Sequence, residues 1–446
     1  MEQLGIATAT VCSDEFYALG KAETQCLGMP GLPIAVVPHP VAKLLPDEVA
    51  AVARDVLDEV IHLWQDDAED LRAEFKEKAP PTKSRLRYRS LFEGNFSAPD
   101  APERINGPDD LEGVNRLFYS RGWTDGLPVI PPTPERYEKM LGDSGLDPSE
   151  LLARIEPRQG EATVAKVAIN GVMAGCLPEH LPLLVAAARA LGQPALNLKA
   201  LNTTTHPCTV LALISGPITE AIDVNSTYNA MGQGSLANAA IGRGIRSILL
   251  NIGGGTPGIL DRATMGTPAK YSFCFGENLA ENPWGETLAM ERGHGAEQST
   301  ITLCGVEGPH NVNDHYGKTA EEILQTIGGT MSSPGLNNSY LGGEIMLVLG
   351  PEHAEIIHKD GFSKADIKNF LIEKAFIPAH VLSEPQRVIM RQYVPERLLA
   401  DGDEGARIAM SHDDIQLVVA GGAGRHSAII PSFGNTRAVT EVIETT

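Results

Sequence analysis

The chain lacks any run of about 18 uninterrupted apolar residues, the length that a membrane-spanning helix requires. Its first residues contain no basic region followed by an apolar stretch, so we expect no secretory signal. The six cysteines are isolated and form no Cys-x-x-Cys pair, which excludes a zinc ribbon and a disulfide scaffold. Isolated cysteines are typical of a reducing compartment, so we predict a cytoplasmic protein.

Basic residues are also scarce. The 36 Lys and Arg residues stand against 57 Asp and Glu residues, and the formal net charge is -21. This charge would repel nucleic acid and anionic membranes, so we predict neither as a partner. The abundant residues are glycine (45) and proline (31), which indicate many tight turns. With 446 residues, 42 % of them hydrophobic, the chain can form about two or three domains with buried cores.

Changes in composition divide the chain into three parts. We predict a small domain in residues 1–64, a charged helix and a Pro/Gly-rich linker in 65–110, and a large domain in 111–446. In the large domain, helices are predicted at 134–141, 148–155, 179–191, 351–358, 364–375 and from 436 onward. Strands are predicted at 163–169, 210–215, 245–251 (or the end of a helix), 299–306, 343–349, 415–420 and 427–430. The predicted class is mixed α/β, with a small N-terminal βαβ fragment and a larger α/β or α+β domain. No internal repeat of fixed period is visible.

The first 40 residues form a βαβ pattern. Strand-like runs at 7–12 and 32–37 flank a helical stretch at 14–26, and a further helix is predicted from Pro46. A helix should lead into this unit, but only its last four residues precede Gly5. So short a piece cannot hold itself in a helix, so we interpret this domain as lacking its N-terminal part.

Three stretches of this segment carry a family resemblance: Val11-Cys12-Ser13-Asp14, Gly28-Met29-Pro30-Gly31 and Val37-Pro38-His39-Pro40. Over about residues 1–64 they resemble the UGSC-type family and, more distantly, component B of glycine, sarcosine and betaine reductase. Those families carry a Sec/Cys-Gly-Ser/Thr-Cys motif just upstream of the corresponding segment. The resemblance implies that a selenolate or thiolate attacks a small organic substrate and that a carbon–heteroatom bond is cleaved reductively.

The redox motif itself is absent from this sequence. An in-frame UGA read as a stop, with Met1 assigned as the next start, would explain the absence. So would a genuine variant without the motif, or a second subunit or redox partner protein that carries it. In each case the resemblance implies that His39 is a neighbouring group of the reactive centre and that Cys12 lies behind it.

If the chain is complete as written, Cys176 is the best candidate nucleophile. A helix that starts at Pro178 would direct its positive end toward this thiol and favour the thiolate, with His180 as a base. The alternative is an inert, buried cysteine.

The run from Asn202 to Cys208 is rich in polar residues and directly precedes a buried strand. Asn202, Thr204 and His206 would present an amide, a hydroxyl and an imidazole to a ligand, with His206 as an acid or base. The same residues are also typical of a capped turn.

Two glycine-rich loops are candidate anion sites. The loop from Gly232 leads into an Ala-rich helix that carries Asn238 and Arg243, and the latter would clamp a carboxylate or phosphate. Close helix packing explains the small residues equally well. The loop at 253–258 exposes backbone in a similar way, although turn formation alone would account for it.

Two charged pairs complete the candidate binding residues. Lys270 and Glu277 flank a predicted strand with Cys274 and would form either a surface ion pair or part of a polar pocket. Arg425 and His426 lie at the tip of a strand–glycine loop that would bind an anion or form a plain hairpin.

No cofactor is predicted. The glycine loops match neither the dinucleotide fingerprint nor the P-loop. The twelve histidines include no His-Glu-x-x-His and no His-x-His motif, so the sequence predicts no metal site.

Three functional hypotheses follow. The first is a selenol- or thiol-type redox enzyme, or its subunit, acting on a small organic substrate that the glycine loops would favour as an anion. The second is a non-catalytic substrate-binding or scaffold subunit. The third is a hydrolase or lyase located within 111–446. We also expect a homo-oligomer.

Overall fold

The computed structural model describes residues 6, 8–41, 44–78, 104–142, 144–399 and 405–444. Helices and strands are mixed along the described chain, so the predicted α/β class is confirmed. Most of the predicted linker, residues 79–103, lies outside the described residues.

The N-terminal segment is a βαβ unit followed by two helices. Its elements are β1 (Thr10–Ser13), α1 (Tyr17–Cys26), β2 (Ile34–Val37), α2 (Pro46–Gln65) and α3 (Ala68–Glu77). Strands β1 and β2 are parallel, with Thr10 opposite Ile34, as the sequence pattern predicts. Buried side chains of β2, α2 and α3 form a small core of their own: Ala35, Leu63, Leu71 and Phe75.

The large part begins with helices and one hairpin. Its first elements are α4 (Leu111–Arg121), α5 (Pro134–Leu141), β3 (Leu151–Ile155), β4 (Gly160–Thr163), α6 (Val164–Ala174), α7 (Leu181–Leu191) and α8 (Leu198–Thr203). Two predictions are wrong here, because 148–155 contains strand β3 instead of a helix and 163–169 belongs mainly to helix α6. The Thr163 hydroxyl accepts a hydrogen bond from the Lys166 N–H and caps α6, which ends at Gly175 in the left-handed conformation.

The next elements form two sheets and their helices. They are β5 (Thr209–Ser215), α9 (Ile218–Ala221), α10 (Leu236–Asn251), β6 (Cys274–Gly276), α11 (Leu288–Glu291), β7 (Thr300–Val306), β8 (His310–Asn313), α12 (Ala320–Met331), α13 (Asn338–Leu341), β9 (Ile345–Leu349), α14 (Pro351–Lys359), α15 (Lys364–Lys374), β10 (Phe376–Pro378), α16 (Glu384–Tyr393), β11 (Leu398–Leu399), β12 (Gly405–Arg407), β13 (Ile415–Val419), β14 (His426–Pro431) and β15 (Val439–Val442). The stretch 245–251 is the end of α10, which was the helical alternative for it.

Two four-stranded sheets stack face to face between two layers of helices. The sheet orders are β15-β7-β5-β6 and β13-β9-β14-β8. Leu213 of β5 and Val348 of β9 lie in the core between the sheets. The alternate residues face outward: Ala212 packs with α6, α7 and α10, and Leu347 packs with α12, α14 and α15. The large part is therefore a helix–sheet–sheet–helix sandwich.

The two sheets are built by the same strand pattern used twice. In the first unit β5 pairs in parallel with β6 and antiparallel with β7; in the second, β9 pairs in parallel with β13 and antiparallel with β14. The fourth strand of each unit crosses over: β8 joins the second sheet and β15 joins the first. The repeat lies in the topology, which is why no sequence period reveals it.

For the tail, one prediction is wrong and one of two alternatives is excluded. The predicted helix from 436 is strand β15, which is rich in β-branched residues. The loop at 420–425 does not form a hairpin, because β9 lies between β13 and β14.

Candidate functional site

The carboxyl ends of β1 and β2 bring three polar side chains together. Ser13 Oγ lies 3.2 Å from His39 Nδ1, and the His39 backbone N–H donates to Asp14 Oδ1 at 3.0 Å. The Phe16 ring packs edge-on against the imidazole, with centroids 5.3 Å apart. These contacts orient His39 at the edge of a parallel sheet where ligands commonly bind.

The same segment contacts loops of the large part. Arg262 pairs with Glu15 and also donates to the Gly258 carbonyl at 2.6 Å. Lys199 pairs with Glu23 of α1 at 2.7 Å. We call this contact between residues 8–41 and the segments around residues 158, 199 and 262 the junction. It places cationic side chains of the large part beside the βαβ unit.

Cys26 is the last residue of α1 and also lies at the junction. Its thiol donates to the Arg158 carbonyl at 3.3 Å. Burial lowers the pKa of Arg158 to about 10, which leaves the guanidinium charged at neutral pH.

The polar loop before β5 holds His206 against a carboxylate. His206 Nε2 lies 3.0 Å from Glu307 Oε1, and the ring packs against Phe433. The Thr204 hydroxyl accepts from the His206 N–H at 3.0 Å, so it forms the capped turn that was one of the two interpretations. Among the described atoms, His206 Nδ1 is buried without a hydrogen-bond partner.

The side chains of Asn202 and Lys270 bind to residues of neighbouring loops. The Asn202 amide donates to the Glu156 carbonyl at 3.0 Å. Lys270 Nζ lies 2.6 Å and 2.8 Å from the two Asp261 oxygens, so its partner is not Glu277. Both contacts fix the loops that surround His206.

Asn238 and Arg243 hold other loops in place. The Asn238 side chain makes four hydrogen bonds that connect residues 225, 230 and 235. Arg243 forms a bidentate ion pair with Asp125 at 2.8 Å and 2.9 Å and also donates to the Leu127 and Pro128 carbonyls. Its Nε and Nη2 donors are thus used inside the protein.

Glu277 lies in a separate buried network. It is 1 % exposed, accepts from the Ser215 hydroxyl at 2.8 Å, and its pKa is raised to about 7 chiefly by burial. Nearby, Lys364 and Lys368 both pair with Glu291, at 2.7 Å and 2.6 Å. Glu344, which directly precedes β9, also has a pKa raised to about 7 by burial.

Arg425 and His426 lie at the rim of the second sheet. Arg425 donates to the His315 and Gly317 carbonyls at 3.1 Å and 2.8 Å. His426 faces His315.

None of the six thiols has a lowered pKa. Burial raises the pKa of all of them: Cys12, Cys26, Cys176, Cys208, Cys274 and Cys304. The Cys176 thiol is 7 % exposed and donates to the Ala240 carbonyl at 3.2 Å. His180 Nδ1 instead accepts from the Leu177 N–H at 3.2 Å, so it is engaged with the backbone.

The predicted site residues therefore lie in five places. His39 and Cys12 belong to the βαβ unit, and Asn202, Thr204, His206 and Lys270 surround one loop cluster near the junction. Asn238 and Arg243 lie on α10, against which Cys176 packs. Glu277 lies in its own buried network, and the pair Arg425–His426 lies at the rim of the second sheet. Sequence reasoning missed Glu307, Asp125 and Arg262, whose partners are distant in the chain. Only tertiary structure brings such pairs together.

One comparison with known proteins gives a match, and it lies in the N-terminal segment. Residues 1–66 match the UGSC family. The match ends just after α2, so it covers β1, α1, β2 and α2. No curated protein and no solved structure matches the chain.

The UGSC-matching segment thus contains His39, Ser13 and Asp14, and its resemblance to that family is confirmed over these residues. No helix in the described part of the chain is long and apolar enough to cross a lipid bilayer.

Proposed function

We propose that this chain is a subunit of a thiol- or selenol-dependent redox enzyme and that it holds a small organic substrate at the junction. The observation that carries the proposal is the UGSC match, whose segment gathers Ser13, Asp14 and His39 at the carboxyl ends of two parallel strands. Arg262, which pairs with Glu15, is a cationic side chain of the large part beside the end of β1.

The reactive selenolate or thiolate comes from outside the six cysteines of this chain. A nucleophilic cysteine needs an environment that stabilises the thiolate, and burial does the opposite at each of the six. The redox group is therefore that of a Sec/Cys-Gly-Ser/Thr-Cys motif, borne by a partner polypeptide or by a longer form of this protein. Reductive cleavage of a carbon–heteroatom bond is the reaction that the family resemblance supports.

The first experiment is the intact mass of the protein and of everything that copurifies with it from its native host. We expect a Sec- or Cys-Gly-Ser/Thr-Cys peptide, either in a chain heavier than 47.6 kDa or in a second polypeptide. A 47.6 kDa chain without any such companion would overturn the proposal.

Thiol reactivity gives an independent check. Native protein treated with iodoacetamide at pH 7 should react first at the exposed Cys26, and every site should react more slowly than free cysteine because the thiol pKa values are raised. The rates are read by peptide mass spectrometry, with Cys26→Ser as the control. A thiol that reacts faster than free cysteine would restore the chain itself as the nucleophile.

A hydrolase or lyase within the large part is the second candidate. The 3.0 Å contact of His206 with Glu307 favours it, since a carboxylate orients an imidazole for proton transfer. His206→Ala should then abolish turnover of any small substrate that the wild-type protein converts. His380 is exposed, so the control variant His380→Ala should keep the wild-type rate. Equal rates in both variants would remove His206 from the mechanism.

A further inference from the structure

Two histidines from different strands meet at the rim of the second sheet. His315 follows the edge strand β8, and His426 is the first residue of β14, where it lies opposite Asn313. Their Nε2 atoms are 3.2 Å apart, with ring planes 82° apart and centroids 5.0 Å apart. Both rings are exposed, so solvent and solutes reach the pair.

Hydrogen bonding fixes which nitrogen of His426 is free to accept. Asn311 Oδ1 lies 3.0 Å from His426 Nδ1, and an amide oxygen can only accept, so Nδ1 carries the proton. The lone pair of a neutral His426 is therefore on Nε2, which faces His315. Metal-binding histidines commonly donate their second ring N–H to an oxygen in this way.

His353 contacts the two backbone segments that carry the rings. This residue is fully buried, and its Nδ1 lies 2.8 Å from the Ser427 hydroxyl while its Nε2 lies 3.0 Å from the Asp314 carbonyl. Ser427 and Asp314 are the chain neighbours of His426 and His315. One buried imidazole thus ties together the two segments that present the exposed pair.

Arg425 also connects the segments that carry the two rings, and its positive charge lies near Glu352. Its guanidinium donates to the His315 and Gly317 carbonyls and lies 3.8 Å from a Glu352 oxygen. The two rings are therefore presented by a preorganised rim instead of by free loops.

We propose that His315 and His426 form a binding site for one divalent late transition-metal ion, such as Cu²⁺ or Zn²⁺. Metal–nitrogen bonds of about 2.0–2.1 Å to two nitrogens 3.2 Å apart subtend an angle of about 100°, close to the tetrahedral value. The exposed rings must rotate to aim both lone pairs at this point. The ion replaces the shared hydrogen: His315 loses its Nε2 proton to solvent and takes one at Nδ1, so the ring stays neutral.

The chemistry of the pair selects the class of ion. Imidazole nitrogens suit Zn²⁺, Ni²⁺ and Cu²⁺, with Cu²⁺ bound most tightly, whereas Mg²⁺ and Ca²⁺ require oxygen ligands. Two protein ligands leave the other positions to water. No group of three or more His, Cys, Asp and Glu side chains suited to a metal occurs in the described ranges, so the pair is an open site.

The test is titration of the tag-free full-length chain, stripped of metal, with CuCl₂ and ZnCl₂ in isothermal calorimetry at pH 7.5. We expect one site per chain, absent with MgCl₂, and electron paramagnetic resonance of the Cu²⁺ form should show coupling to two nitrogens. His315→Ala and His426→Ala should each weaken this site at least tenfold. His310→Ala removes an exposed histidine of the nearby edge strand β8, and this variant should bind as the wild type does.

Circular dichroism confirms that the variants are folded. A wild-type protein without a one-to-one site would overturn the proposal, and so would equal binding by the wild type, His315→Ala and His426→Ala. In either case the pair is a hydrogen bond only.

Discussion

At the scale of single residues, the polar groups that a sequence marks as functional are often used to hold loops. Arg243 would be a plausible clamp for a carboxylate, but all of its contacts go to residues 125–128. Asn238 uses both its oxygen and its nitrogen on neighbouring turns. Residue type predicts that a group needs partners; it does not say whether a ligand or the protein supplies them.

Glu277 gives the residue-scale prediction, because its carboxyl has a pKa raised to about 7 in the folded protein. The unfolded value is about 4.3, so the folded state holds the proton between these two pH values. The stabilisation is fully present below about pH 4.3 and is lost as the pH rises through 7. Thermal unfolding midpoints from pH 5 to 8 should therefore fall less steeply in Glu277→Gln than in the wild type.

Glu355→Gln serves as the control for this experiment. Glu355 is an exposed helix residue paired with Lys359, so its replacement should leave the slope of the midpoint against pH unchanged. A slope in Glu277→Gln equal to that of the wild type would contradict the raised pKa.

At the scale of elements, the sequence predicts most strands and helices of the two sheets, because their apolar runs are bounded by clear turn signals. It fails at α6, where nine buried residues surround the helix with core on every side and no amphipathic stripe is left to read. The pairing of His206 with Glu307 and of Arg243 with Asp125 could not be predicted, since each joins residues more than a hundred positions apart. Only packing of complete elements creates these contacts.

Two glycines give the element-scale prediction. A Cβ at Gly160, the first residue of β4, would lie 2.0 Å from the Ile252 carbonyl oxygen, whereas a Cβ at Gly329 of α12 meets nothing within 4 Å. Gly160→Ala should lower the free energy of unfolding by about 1–3 kcal/mol. Gly329→Ala should raise it by about 0.5–1 kcal/mol, because glycine in a helix interior loses more chain entropy than alanine.

Urea unfolding of the two variants measures both effects. Identical shifts of the two midpoints would show that the Ile252 carbonyl does not limit the space at Gly160.

At the scale of the whole molecule, the exchange of β8 and β15 makes each sheet depend on both units. Val439 of β15 is buried against the helices that cover the first sheet and lies opposite Leu303 of β7. A mutation in the second unit therefore acts directly on the sheet of the first.

Val439→Asp tests this dependence. An unpaired carboxylate at this buried position should lower the free energy of unfolding by about 4 kcal/mol or more. Hydrogen exchange should then accelerate in β5 and β7 as well as in β9 and β14. The matched control is His310→Asp, at an exposed residue of β8. This substitution should leave the hydrogen-exchange rates nearly unchanged. Acceleration confined to β5 and β7, the strands of the sheet that contains Val439, would mean that the two sheets unfold independently.

The same exchange of strands has a consequence for biosynthesis. Because β7 finds its outer neighbour only in β15, the first sheet keeps an open edge on the ribosome until the entire second unit has been translated. Such edges pair readily with other nascent chains. Slow codons or a pause between β9 and β15 should therefore favour aggregation, and a chaperone that shields β7 during elongation should raise the yield of native protein.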